Sequence, residues 1–147
     1  MKSARPVFVL NGPNLNRLGT REPQIYGTAT LSEVGAMCRA ALPERRIEFR
    51  QTNSETELIE WVHEAIDGAA GIVINPAAFS FTSLALLDAL KMFPGPIVEI
   101  HISNIFAREA HYHHSYVSPA ASGVIAGLGV AGYVAAVRAV ATLIEHR

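Results

Sequence analysis

The chain has a single cysteine, Cys38, and that alone excludes an intrachain disulfide framework. Cys38 falls in a helical pattern, where a buried and inert thiol is expected. An excess of charge of either sign is missing as well. The formal net charge is −1 at pH 7, so no general nucleic-acid or anionic-membrane partner is implied. Basic residues are scattered, with only Arg45-Arg46 adjacent. No apolar run reaches the length of a membrane span. Lys2 and Arg5 are not followed by a run suited to a secretory signal, so a cytoplasmic location is the expectation. What is present is ordinary for a globular protein: 147 residues, 50% hydrophobic and 17% charged. One domain covering residues 1–147 is expected.

Apolar runs of strand length alternate with helix-patterned segments. Val7–Leu10, Ile47–Gln51, Ile72–Ile74, Ile97–Ile102 and Val124–Ala126 read as five strands. Thr30-Leu31-Ser32-Glu33 and Ser54-Glu55-Thr56-Glu57 have the form of capping boxes. The first opens a helix that runs to about Leu42, and the second opens one carrying Leu58, Ile59, Val62 and Ile66 on one side. Thr82–Met92 and Ala131–Glu145 complete the helices. The alternation predicts an α/β fold: a doubly wound, five-stranded parallel sheet of the flavodoxin type, with helices on both faces.

Ligands of such sheets bind beyond the carboxyl ends of the strands. Asn11 ends the first strand, Asn75 the third, and Glu99, His101 and Ser103 the fourth. A strand-terminal Asn is often only a turn residue; three polar endings on one rim point to a site. Glu99, His101 and Ser103 alternate, so an extended strand projects them to one face. A carboxylate beside an imidazole either orients a proton donor or forms a structural pair, and spacing does not separate the two.

The first strand also feeds a long connection, Asn11 to Tyr26, with three asparagines, two arginines and a tyrosine. Loops of that length are usually lids or binding loops. A phenol titrates near 10 in water, so a tyrosine base needs its phenolate favoured by about 3–4 kcal/mol. Guanidinium groups can provide this, and Arg17, Arg21 and Arg108 are candidates. The plainer alternative for Tyr26 is packing. Two further motifs are set aside. Gly127-Leu128-Gly129-Val130-Ala131-Gly132 matches a dinucleotide fingerprint but lacks the following strand and the acidic residue about 20 positions on that such a site needs. Its glycines suit a tight turn and close helix–sheet packing. His111-Tyr112-His113-His114 has no metal-ligand spacing and reads as a solvated or interface loop.

Together the residues resemble one family. Asn11-Gly12-Pro13-Asn14-Leu15, Arg17-Leu18-Gly19, Arg21-Glu22-Pro23, Tyr26-Gly27, Asn75-Pro76, Thr82-Ser83, Asp88-Ala89, Glu99 to Asn104 and Ala107-Arg108-Glu109 are similar to type II 3-dehydroquinate dehydratase. His114-Ser115-Tyr116, Ser118-Pro119 and Gly123 to Gly129 fit its C-terminal part. The resemblance implies a hydro-lyase of the shikimate or quinate pathway that converts 3-dehydroquinate to 3-dehydroshikimate by anti elimination through an enolate. It implies neither metal nor organic cofactor, and trimers assembling into a dodecamer.

Carried over by position, Tyr26 is the base and Arg21 favours its ionised form. Asn14 helps hold the water that stabilises the enolate. His101 is the acid, with Glu99 positioning it. Asn75, the Ile102 backbone and Ser103 hold the hydroxyl and carboxylate end, Arg108 belongs to the same substrate-binding set, and Asp88 reaches a neighbouring subunit's site. The family usually has His where Phe81 stands, Arg where Tyr112 stands, and Arg in place of Leu87. The His and Arg bind ring hydroxyls, which Phe81 and an uncharged Tyr112 would serve poorly unless His111 or His113 compensates. The alternatives are therefore a paralogue acting on a less hydroxylated cyclic keto acid, or an idle homologue that binds a small acid or serves in assembly.

Overall fold

In a computed structural model, which describes residues 4–20 and 22–146, five parallel strands form one sheet in the order β2-β1-β3-β4-β5. The strands are β1 (Val7–Asn11), β2 (Ile47–Gln51), β3 (Gly71–Asn75), β4 (Ile97–His101) and β5 (Gly123–Ala126). This is the flavodoxin order, as the alternation of elements predicts. The three central strands are buried along their whole length, whereas β2 and β5 at the edges are partly exposed. Helices cover both faces, which is why the central strands are apolar runs rather than alternating ones.

Two helices lie on each face. Leu31–Ala41 (α2) packs beside Ala131–Glu145 (α5), and Glu55–Gly68 (α3) beside Leu84–Lys91 (α4). One core joins Val34, Cys38, Val73, Val98, Val137 and Val140; the other joins Leu58, Val62, Ile72, Ile74, Leu86 and Leu90. The caps form where the sequence places them. Thr30 Oγ1 accepts the Glu33 amide at 3.2 Å and Ser54 Oγ accepts the Glu57 amide at 3.1 Å, satisfying donors that a helix start leaves open. α4 begins two residues later than its pattern suggests, because Ser83 is its cap and accepts the Leu86 amide at 2.9 Å.

Cys38 is fully buried, and burial pushes its thiol up to about 11 against a smaller lowering by Arg39. It is an inert core residue. The glycine motif is also structural. Gly129 has φ +63, and a Cβ on Gly132 would lie 2.5 Å from Ile100 Cδ1, so α5 sits close against β4.

The connection after β1 is not a plain loop. It contains a 3-10 turn at Leu15–Arg17 and one helical turn, α1, at Pro23–Tyr26. Leu15 and Leu18 anchor it in the core. The apolar residues are too few and too irregularly spaced to announce these short turns.

Candidate active site

β1 and β3 pair with Asn11 opposite Asn75, which brings two strand ends side by side. A buried hydrogen-bond chain joins them. Asn75 Nδ2 donates to the Tyr133 hydroxyl at 2.8 Å, and that hydroxyl donates to Asn11 Oδ1 at 2.7 Å. Asn11 Nδ2 donates to the Arg50 carbonyl at 3.0 Å. Tyr133 is fully buried, which pushes its hydroxyl strongly upward and keeps it neutral, against a smaller lowering by Asn75. Asn11 is thereby a structural residue; it does not reach the cavity that Asn75 lines. Tyr133, unmarked in the sequence, is the hub of this network.

The cavity spans about 570 Å³ of empty space, part of it open to solvent. Its floor is Asn75, His101, Ile102 and Ser103; its sides include Asn14, Tyr26, Phe81, Arg108 and Tyr112. Asn14 and Ala77, both in the lining, have φ of +71 and +51, strained values for residues other than glycine. Gly12 makes the turn into this connection possible. Its amide donates to the Asn75 carbonyl at 2.8 Å, and a Cβ there would lie 2.4 Å from the Pro76 carbonyl oxygen. Asn53 then fixes the next residues, accepting the Asn14 amide at 2.9 Å and Gln51 Nε2 at 3.1 Å.

On one side stands His101, with Glu99 behind it. Glu99 Oε2 is bonded to His101 Nε2, so Nδ1 is the ring nitrogen left for the cavity. Burial pushes the Glu99 carboxyl up. The bond and charge of His101, with the Ser118 and Ser115 hydroxyls, more than offset this and hold it below the usual carboxylate range. The glycine turn supports the same strand end: Gly127 and Gly129 amides donate to the carbonyls of His101 and Ile102 at 3.3 and 3.0 Å.

On the other side Arg108 Nη1 donates to the Tyr26 hydroxyl at 3.2 Å. The Arg108 guanidinium carbon also lies 4.0 Å from the Tyr112 ring centre. Tyr112 meets Phe81 edge-on, with ring centres 5.1 Å apart, and Phe81 lies 6.3 Å from the His101 ring. An aromatic wall thus connects the His101 side to the Tyr26 side. His113 is outside the lining and bonds the Arg108 carbonyl at 2.6 Å; His111 is outside it too and its ring meets Tyr112 at a tilt of 47°. Among the described residues, no group of three or more His, Cys, Asp or Glu gathers as a metal site.

Comparison with known proteins places this arrangement. The family model described as dehydroquinase class II matches residues 5–141. The chain belongs to the class II dehydroquinase family. It is 57% identical over 143 residues to the 3-dehydroquinate dehydratase of Streptomyces avermitilis, covering 95% of this chain and 90% of that one. It is 58% identical over 132 residues to 3-dehydroquinate dehydratase 2 of Pseudomonas aeruginosa, covering 88% of each. The type II dehydroquinase structure from Propionibacterium acnes superposes with a TM-score of 0.89 at 46% identity, covering 97% of this chain and 99% of that one.

Within this class II dehydroquinase fold, Tyr26, Asn14, Asn75, His101, Ile102, Ser103, Phe81, Arg108 and Tyr112 all meet at one cavity. Glu99 is one layer behind. Asp88 is exposed on α4 and outside the lining, Arg17 is exposed, and Arg21 lies outside the described residues. Sequence reasoning missed Tyr133, Asn53, Gln51 and Ser118. Tyr133 lies in an unremarkable apolar helix pattern, and the others have short polar side chains that sequence does not separate from turn residues.

Proposed function

We propose that the protein removes water from 3-dehydroquinate to give 3-dehydroshikimate, as the names of its relatives describe for them. The observation that carries this reading is a cavity with a Tyr–Arg pair on one side and a His–Glu pair on the other. Arg108 holds the Tyr26 oxygen at the cavity by a hydrogen bond. Tyr26 takes the proton next to the ketone, and the electron pair of that C–H bond becomes an enolate. Asn14 holds the water that stabilises the enolate oxygen, and Arg21 assists Tyr26. The enolate then expels the hydroxyl, which leaves as water with a proton from His101. Glu99 orients the imidazole. Asn75, the Ile102 backbone and Ser103 hold the hydroxyl and carboxylate end. Neither a metal nor an organic cofactor takes part.

Purified protein supplied with 3-dehydroquinate should generate the ultraviolet absorbance of a conjugated enone, and Tyr26→Phe should abolish it. Absence of turnover in the wild type at millimolar substrate would remove this reading.

A second reading is favoured by the Phe81–Tyr112 wall, which offers one cavity side few hydrogen-bonding groups. A cyclic keto acid with fewer hydroxyls would fit that side without unpaired polar atoms. Its signature is weak turnover of 3-dehydroquinate that rises about tenfold or more in Phe81→His with Tyr112→Arg. No gain in the double variant rules it out.

The assembly we propose is a set of trimers that assemble into a dodecamer, in which Asp88 reaches a neighbour's cavity. Its support is that Asp88 and Leu84, the latter 57% exposed, share one face of α4. Light scattering after size exclusion checks the mass. No helix among the described residues is long and apolar enough to cross a membrane, in keeping with the cytoplasmic location we assign.

A further inference from the structure

Behind the His101 side lies a hydroxyl that the elimination chemistry does not call for. Glu99 is completely buried. Its carboxylate is held at both ends: Oε2 by His101 Nε2, and Oε1 by the Ser118 hydroxyl, which donates at 2.6 Å. Ser118 opens a 3-10 turn, Ser118–Ala120, that packs against α4, and it is not part of the cavity lining. It reaches the acid side from behind.

A carboxylate held at one oxygen can still turn about its bond to the chain. Held at both, its plane is set, and so is the imidazole bonded to it. A buried carboxylate also needs charge-assisted hydrogen bonds to offset its lost hydration. Ser115 is close enough to favour the charge, though its hydroxyl has no partner of hydrogen-bonding geometry. No competing charge faces the pair from α4, which buries Leu86, Ala89 and Leu90 on that side and leaves Asp88 and Lys91 exposed. From the cavity, the titratable and charged groups lining the space with His101 are Tyr26, Arg108 and Tyr112.

We infer that Ser118 is a positioning residue: its hydroxyl fixes the Glu99 carboxylate so that His101 presents Nδ1 to the cavity. The inference rests on the elimination reading for its effect on rate, but its effect on Glu99 can be read without any substrate.

The test compares Ser118→Ala, Ser118→Thr and Ser118→Cys with the wild type. Two quantities are measured: kcat and KM with 3-dehydroquinate, and the titration of the Glu99 carboxyl by carbon NMR in the free protein. Ser118→Ala should lower kcat about tenfold with KM changed less than about twofold. Its Glu99 titration should move to higher pH, because a donor to the ionised form is gone. Ser118→Thr keeps the hydroxyl and should restore both. A Ser118→Ala protein with unchanged kcat and an unmoved Glu99 titration overturns the inference. So does one that melts earlier and turns over more slowly while the Glu99 titration stays put, because that describes a merely structural residue. If Ser118→Ala does not fold, Ser118→Cys, nearly isosteric and a weak donor, is read by the same criteria. If the wild type itself fails to turn over 3-dehydroquinate, the elimination reading falls. The NMR arm then decides alone: a moved titration supports the contact, and an unmoved one removes it.

Discussion

The two sides of the cavity are built differently. His101, Glu99, Asn75 and Ser103 come from the ends of central strands, and none is more than 9% exposed. Tyr26, Arg108 and Tyr112 are half-buried and sit on short turns, and Asn14 is exposed. The strand-borne side is set by the same packing that makes the sheet. Among the described residues, the contacts of the turn-borne side include a hydrogen bond at 3.2 Å, a guanidinium over a ring and an edge-on aromatic pair. On the mechanism proposed above, the proton donor, which must stay oriented, comes from the buried strand ends. The proposed base, which must admit substrate, sits on a short turn, where backbone can open at little cost.

The contrast predicts that substitutions on the turn-borne side change rate alone, while those on the strand-borne side change rate and stability together. Tyr26→Phe should produce the largest effect, a loss of roughly a thousandfold in kcat. The melting temperature should stay within a degree or two, as a calorimetric scan can verify. A large drop in melting temperature would mean that Tyr26 is a packing residue and would erase the contrast.

Glu99→Gln should reduce kcat by about a hundredfold and lower stability at pH 7 by about 1–3 kcal/mol. The pH dependence has a defined sign. The folded carboxyl lies below its unfolded value, which is about 4.3, so its contribution is full above that value and is lost as pH falls through the folded one. Denaturant titrations of the two proteins should therefore converge on acidification. A constant difference down to pH 3 would refute the assignment.

Gly12→Ala tests the junction of the two sides. The new Cβ meets a backbone carbonyl that cannot move aside cheaply, so a loss of about 1–3 kcal/mol is expected. Activity should fall with it, because the residue that follows the turn is on the path to Asn14. Tyr112→Leu should have the smallest effect. Removing the ring under Arg108 forfeits about 1 kcal/mol of cation–π attraction, seen as a fivefold to tenfold fall in kcat at constant stability. Crystallography of that variant would reveal whether Arg108 leaves the Tyr26 oxygen.

Much of the fold was legible along the chain. The strands β1, β3 and β4 are apolar runs and two helices open with capping boxes, so period and cap chemistry located these elements within a residue or two. The two short turns before Tyr26 were not legible, because a single turn leaves no periodicity. The roles of individual polar residues were legible only in part. Asn11 and Asn75 look alike as strand endings, yet only Asn75 reaches the cavity. Asn11 is fully buried, with its side-chain amide bonded to the Arg50 carbonyl and to Tyr133, which is 122 residues away.

By itself the sequence determined the layering, the strand-end location of the site and the family to which the chain belongs, because these follow from local patterns and ordered motifs. Only the tertiary structure decided which polar groups meet. Glu99 and His101 are two residues apart and could be paired from strand geometry. Arg108 with Tyr26, Ser118 with Glu99, and Phe81 with Tyr112 are joined across 82, 19 and 31 positions. Contacts of that kind depend on the packing of the whole sheet and its connections, and no local pattern carries them.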